Sequence, residues 1–198
     1  MSRSRLNASA VIDVAVKLAD DVGFDGVSLS AVARQLGVQA PSLYAHVRDL
    51  SALRDGIAER ALHDLSRRTS AAIAGRSGIA ALRGLADAYR SFARESPGGW
   101  QSLQRRVGGA AVASDAARDV VDLTAAVLRG YPLPEGEYVH AVRLIGSTIN
   151  GFINLEAIGS FDHSDPAPDL SWDKTVSALD VVLRAWPTEA GIDSRDER

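Results

Sequence analysis

Tyr44 and His46 stand two residues apart in "APSLYAHV" (40–47), a run that opens on a proline and is flanked by Gln39 and Arg48. A phenol, an imidazole, an amide and a hydroxyl (Ser42) offer hydrogen bonds to the polar edges of another surface. Catalysis is harder to build from what the chain holds. Its four histidines, His46, His63, His140 and His163, lack the spacing of a zinc-protease motif, and no carboxylate pair is fixed on one helix face. No glycine-rich phosphate cradle or nucleophile elbow occurs. With no cysteine, thiolate ligands, thiol nucleophiles and disulfides are excluded. "FDHSD" (161–165) brings Asp162, His163 and Asp165 close in sequence, where they form either a solvated loop or a cation site. The reading is of a protein that is not an enzyme, with no metal and no cofactor.

The chain has 198 residues, 46% apolar and only 6% aromatic, and a net charge of −3. That total speaks against unspecific attraction to polyanions, but residues 1–60 are balanced, with seven cationic and seven acidic side chains. Any contact with nucleic acid rests on where charges sit rather than on their sum. Apolar runs fall well short of the roughly 20 residues a membrane helix needs. "MSRSRLNASA" lacks the apolar stretch of a secretory signal. The expected location is cytoplasmic, with no membrane partner.

Apolar residues recur at helical spacing almost throughout, and no alternating strand pattern appears, so the expected class is all-α with about nine helices. Val11, Val14, Ala15, Leu18, Ala19 and Val22 mark a first helix capped by Asn7 or Ser9 and ended by Gly23. Ser28 or Ser30 caps a second, with Leu29, Val32, Ala33 and Leu36 inward; Gly37 turns the chain. Pro41 opens a third, very short helix, where its missing N–H is harmless. Asp49 or Ser51 caps a fourth, with Leu53, Ile57, Ala61, Leu62 and Leu65 as its stripe. Further patterns run over about 79–95, 97–107, 114–129, 135–159 and 171–186, and Pro187 stops the last. The expected division is a small three-helix domain at 1–50, a larger helical domain at 51–186, and a disordered polar tail at 187–198.

So brief a third helix cannot stand alone in water and must be clamped by neighbours. At about 100° per residue, Leu43 and Val47 point inward with Leu36 and Val38. Pro41, Ser42, Tyr44 and Ala45 point outward, and His46 lies at the border. Two short helices joined at a glycine, the second presented outward, describe a helix-turn-helix whose second member enters the DNA major groove. "FDGVSLSAVARQLGVQAPSLYAHVRDLSALRDGI" resembles the DNA-binding domain of the TetR family of transcriptional regulators, over roughly residues 7–60. "SPGGW" and "GFINLEAIGSF" are similar to one C-terminal subgroup of that family. The resemblance implies that Gln39, Ala40, Pro41, Ser42, Tyr44 and His46 face the groove, and that Ser28 and Arg48 meet phosphates. Leu50 departs from it, standing where the family usually has a lysine. Arg3 and Arg5 either reach a minor groove or belong to a solvated terminus.

In the larger domain, the apolar side chains of residues 138–155 sweep roughly 220° of a helical wheel, more than one neighbour covers. Part of that arc is expected to meet a second subunit. Ile145, Ile149 and Phe152 would join Val176, Leu179 and Leu183 of the last helix in a four-helix homodimer interface. The resemblance also makes these two helices the dimer face. His140, Arg143, Ser147, Asn150 and Asn154 form a polar stripe with two readings. It is solvated, or Arg143, Ser147 and Asn150 line a cavity with Tyr89, Phe92, Trp100, Leu103 and Gln104, where the family's small-molecule effectors bind. Glu156, inside the apolar arc, is either exposed near the helix end or paired with Arg105, Arg106 or Arg143.

The function expected from the whole is a ligand-responsive DNA-binding regulator, chiefly a repressor released from a palindromic double-stranded operator by a small-molecule effector. An activator of the same fold is the alternative, ahead of an all-helical enzyme or a protein-binding adaptor.

Overall fold

Asn7 and Ser28 open the first two helices, each through its side-chain oxygen. The Asn7 amide oxygen accepts from Ala10 N–H at 2.8 Å, and the Ser28 hydroxyl oxygen accepts from Ala31 N–H at 3.3 Å. Both satisfy donors that a helix N-terminus leaves orphaned. The computed structural model describes residues 6–105, 114–134 and 136–187. Helices α1 (Ala8–Val22) and α2 (Leu29–Leu36) are followed by a 3₁₀ turn at Ala40–Ala45, with another short 3₁₀ turn at Phe24–Gly26. Then come α3 (Leu50–Ile73), α4 (Gly78–Glu95), α5 (Pro97–Leu103), α6 (Asp115–Leu128), α7 (Tyr138–Ala157) and α8 (Pro168–Arg184). Among the described residues there is no strand, as the all-α reading expects. Arg3, Arg5, Arg106 and the tail from residue 188 lie outside them.

The expected third helix is a 3₁₀ turn rather than a piece of α-helix. Ser42 N–H donates to Gln39 O at 2.9 Å and His46 N–H to Leu43 O at 2.8 Å, both three residues back. With Pro41 lacking a donor and so few residues before the chain bends at His46, the tighter winding suffices. Leu43 and Val47 anchor it in a core with Val11, Ala15, Leu18 and Ala19 of α1, Val32 and Ala33 of α2, and Leu53 and Ile57 of α3.

The described residues fall into two compact units. One runs up to Arg67 and takes in Phe92 to Val120; the other holds Arg68 to Ser91 and the residues from Val121 on. "SPGGW" (96–100), which the expected division after residue 50 assigns to the larger domain, opens α5 with Ser96 at its N-cap position, and α5 packs on α1. Gly98 explains the closeness to α1, and Gly99 the close approach to Ser96 and Phe92. A Cβ on Gly98 would run into the backbone of Ala19, and one on Gly99 would come within 2.6 Å of Ser96 Oγ. Asp20 fastens the joint. Its carboxylate accepts Gly98 N–H at 2.9 Å, Gly99 N–H at 3.3 Å and the Ser96 hydroxyl at 3.0 Å.

In the second unit, Leu82 and Leu85 of α4, Leu128 of α6, Ile145, Ile149 and Ile153 of α7, and Trp172, Val176, Leu179 and Leu183 of α8 are buried. A buried cation crosses this unit. Arg90 Nε donates to Glu156 at 3.0 Å, a second guanidinium nitrogen lies 2.8 Å from Asp169, and the group sits 5.0 Å and 5.5 Å from the Trp172 and Phe152 rings. Glu156 is therefore paired, with Arg90 on a neighbouring helix; of the arginines the sequence suggested, Arg106 lies outside the described residues.

Candidate nucleic-acid interface

Gly37 makes the corner between α2 and the proline-led turn. Its φ of 68° and ψ of 30° lie in the left-handed region, where a side chain is strained. From there its N–H reaches back to Ala33 O and Arg34 O, and Val38 N–H donates to Ala33 O at 3.0 Å, closing the end of α2. The chain leaves the corner aimed across α2, and Leu43, fully buried, fixes the roll of the following turn.

That roll decides which side chains face outward. Gln39, Pro41, Ser42, Ala45 and Arg48 are exposed, and Tyr44 keeps 59% of its surface in solvent. Ala40 and His46 are half-buried at the edge. Small neighbours leave the Tyr44 ring as a ridge, flanked by amide and hydroxyl groups able to bond base edges and by Pro41 and Ala45 methylenes and methyl suited to a thymine methyl. No rearrangement is needed to present this set.

Ser28 and Arg48 are the residues expected to meet phosphates. Ser28 spends its oxygen lone pair on the α2 cap and lies 3.2 Å from Ser30 Oγ. Arg48 is exposed and pairs with Asp49 at 2.8 Å, while Asp49 also caps α3 by accepting Ala52 N–H at 2.8 Å. The Ala52 bond first, and Arg48 second, hold the Asp49 carboxyl below its usual range. An ion pair this exposed is worth little and yields readily to a phosphate. Leu50, the departure from the family pattern, packs half-buried against the core, so no side-chain phosphate contact comes from it.

Comparison with known proteins bears on this corner directly. Residues 11–49 match the family model described as bacterial regulatory proteins, tetR family, and residues 82–179 match that of the tetracyclin repressor-like C-terminal domain. The HTH-type transcriptional regulator YobS of Bacillus subtilis (strain 168) is 31% identical over 163 residues, 82% of this chain and 85% of its own. The chain belongs to the TetR family. It is thus a ligand-responsive, DNA-binding transcriptional regulator and not an enzyme. Tetracycline repressor protein class D of Escherichia coli is 41% identical over 66 residues, which are 32% of this chain and 30% of that one. Among solved structures, a possible TetR family transcriptional regulator from Streptomyces coelicolor A3(2) superposes with a TM-score of 0.72 at 16% identity, covering 91% of this chain and 100% of that one. A TetR variant from Acinetobacter baumannii AYE, solved with minocycline, gives 0.68 at 21% identity over 93% and 100% of the chains.

The residues expected to meet an effector fall in both units of this TetR-family chain. Phe92 and Trp100 are buried, Leu103 is half-buried and Gln104 exposed, all in the first unit. In the second, Tyr89 is half-buried; burial raises its hydroxyl pKa, against a hydrogen bond with Thr124 that lowers it. Asn150 is half-buried and donates to Gly146 O at 2.6 Å. His140, Arg143 and Ser147 are exposed in the single chain, which favours the solvated reading of that stripe there.

The residues expected at a dimer face lie as follows in the single chain. Ile145, Ile149, Val176, Leu179 and Leu183 are all buried within the single chain, and Phe152 is half-buried against Phe161 and Trp172, at centroid distances of 4.9 and 5.0 Å. The first five are part of the buried core of the single chain. The uncovered faces of α7 and α8 carry Leu155, Ile158, Leu170 and Val181 instead.

One feature escaped sequence reasoning. The first unit holds a cleft of about 710 Å³ between α1 and α3, where Asp13 and Lys17 meet Arg60 and His63, with Phe92 in its lining. The polar pairs at i, i+4 and i, i+3 read as ordinary solvated faces until the two helices are side by side. Among the described residues no group of three or more His, Asp or Glu side chains is placed to hold a metal ion, "FDHSD" included. None of the described helices is long and apolar enough to cross a membrane.

Proposed function

We propose that this regulator is a cytoplasmic homodimeric repressor that grips a palindromic operator with two copies of the 40–47 turn and leaves it when a small molecule binds. The observation that carries the reading is the orientation of that turn: Leu43 and Val47 hold it, and Gln39, Pro41, Ser42 and Tyr44 stand free. Ser28 and Arg48 flank it as phosphate contacts. Support for a second subunit comes from Leu155, Ile158, Leu170 and Val181, large apolar side chains exposed on two helices that pack on each other. Two-fold symmetry would set the half-sites about one helical turn apart, or a multiple of it.

Release would work through α3. It starts immediately after the turn, fixed there by the Asp49 cap, and continues unbroken to Ile73. An effector that shifts α3 alters the spacing of the paired turns. A coupling of about 1–3 kcal/mol weakens operator binding only about 5–150-fold, and a full switch takes about 5.5 kcal/mol. Tyr89 and Asn150 in the second unit and Phe92 and Trp100 in the first are the effector contacts to substitute first.

Selection of bound sequences from a random duplex pool tests the core of this. An inverted repeat bound by a dimer, and lost with Tyr44→Ala, is the expected result. A strictly monomeric protein, or selected sites without symmetry, would overturn it.

A further inference from the structure

The cleft between α1 and α3 has a lining whose charges are unevenly satisfied. Asp13 is engaged by Arg60, and Asp64 by Arg67 at 2.6 Å. The Ser96 hydroxyl at the rim donates to Asp20. The carboxylates of the lining thus have cations, whereas the side chains of Lys17 and His63 make no hydrogen bond or ion pair with any described residue. Lys17 is left over for a structural reason. Its helical neighbours at i−4 and i+3, Asp13 and Asp20, are drawn off by α3 and α5, and Asp21 makes no pair with it. Val16, Ala61 and Phe92 add an apolar surface beside these two donors. A volume of about 710 Å³ falls in the range of small-molecule sites.

We infer that this cleft binds a small organic anion, its apolar body on Val16, Ala61 and Phe92 and its charged group met by Lys17 and His63. An anion completes the donors already present, whereas a cation would have to displace Arg60 or Arg67 from its carboxylate. Its lining takes in Phe92 but neither Tyr89 nor Asn150, and it does not depend on the operator reading. It lies between two helices whose Val11, Ala15, Leu53 and Ile57 form the core under the recognition turn, so an occupant would bear on that core from its far side.

Isothermal titration of the full chain with octanoate, octylamine and octanol tests the inference. Octanoate should bind saturably with a Kd below about 1 mM, and octylamine at least about tenfold more weakly. Lys17→Glu should weaken octanoate about tenfold or more and narrow its advantage over octylamine. His63→Ala should weaken it less. Both side chains are exposed, and circular dichroism checks that the variants fold. Amide shifts induced by octanoate should centre on Val16, Lys17, Ala61 and His63. No saturable octanoate binding, equal binding of octylamine, or octanoate binding untouched by Lys17→Glu and His63→Ala together would each overturn the proposal.

Discussion

Replacing Asp20 with alanine removes the fastening between α1 and α5. Its carboxylate receives two backbone N–H groups from the first turn of α5, at 2.9 and 3.3 Å, and the Ser96 hydroxyl. Gly98 and Gly99 are buried, so water cannot simply replace the acceptor. Losing a cap costs about 0.5–2 kcal/mol, and leaving a buried donor unsatisfied costs about 1–3 kcal/mol. Together these put Asp20→Ala at about 3 kcal/mol, and Asp20→Asn, which keeps one acceptor oxygen, at about 1 kcal/mol. For a chain of this size each kcal/mol moves Tm by about 2–4 °C, so the alanine variant should melt about 6–12 °C lower and the asparagine variant about 2–4 °C lower. Scanning calorimetry at one fixed protein concentration is the assay, since any dimer makes Tm depend on concentration. An alanine variant melting within about 2 °C of the parent, or an asparagine variant no better than alanine, would refute the capping argument.

Three other substitutions probe separate features. Gly98→Ala should cost about 3 kcal/mol because its methyl meets Ala19 backbone and forces α5 off Asp20, whereas Gly37→Ala, in open space but at positive φ, should cost about 1–2 kcal/mol; urea unfolding compares them. Glu156→Ala leaves Arg90 buried with only the exposed Asp169, and should cost about 3 kcal/mol, with a change in Trp172 fluorescence from the ring Arg90 lies against. Asp49 has a folded pKa held below its unfolded value of 3.8, so its contribution is full above that pH and fades as pH falls through the lower folded value. Asp49→Asn should therefore flatten the acid side of the stability–pH curve and leave its neutral side nearly level, as read by thermal melts across pH.

The helix-turn-helix was legible because its instructions are local. Caps at Asn7 and Ser28, the corner at Gly37, Pro41 ahead of a short turn and the inward spacing of Leu43 and Val47 all act within a few residues. Each leaves the same trace in sequence as in space. The helix boundaries in the rest of the chain follow from the same signals, to within a few residues at most ends. Contacts distant in sequence left no such trace. Glu156 had several arginines as partners on paper, and Arg90, 66 positions away, was found only once α4 and α7 lay together.

The wide apolar arc of α7 shows the limit most clearly. Periodicity established that Ile145, Ile149 and Ile153 share a face, and nothing in periodicity says whether that face meets the same chain or another copy. Packing gave it to the chain's own core and left Leu155 and Ile158 outside. The cleft between α1 and α3 was invisible for a related reason. Lys17 looks like any solvated lysine until Arg60 and α5 have taken the carboxylates beside it. Short-range geometry is written in residue order because a helix turn repeats every few positions. Pairing between helices depends on which surfaces meet, and the chain alone carries many near-equal candidates for that.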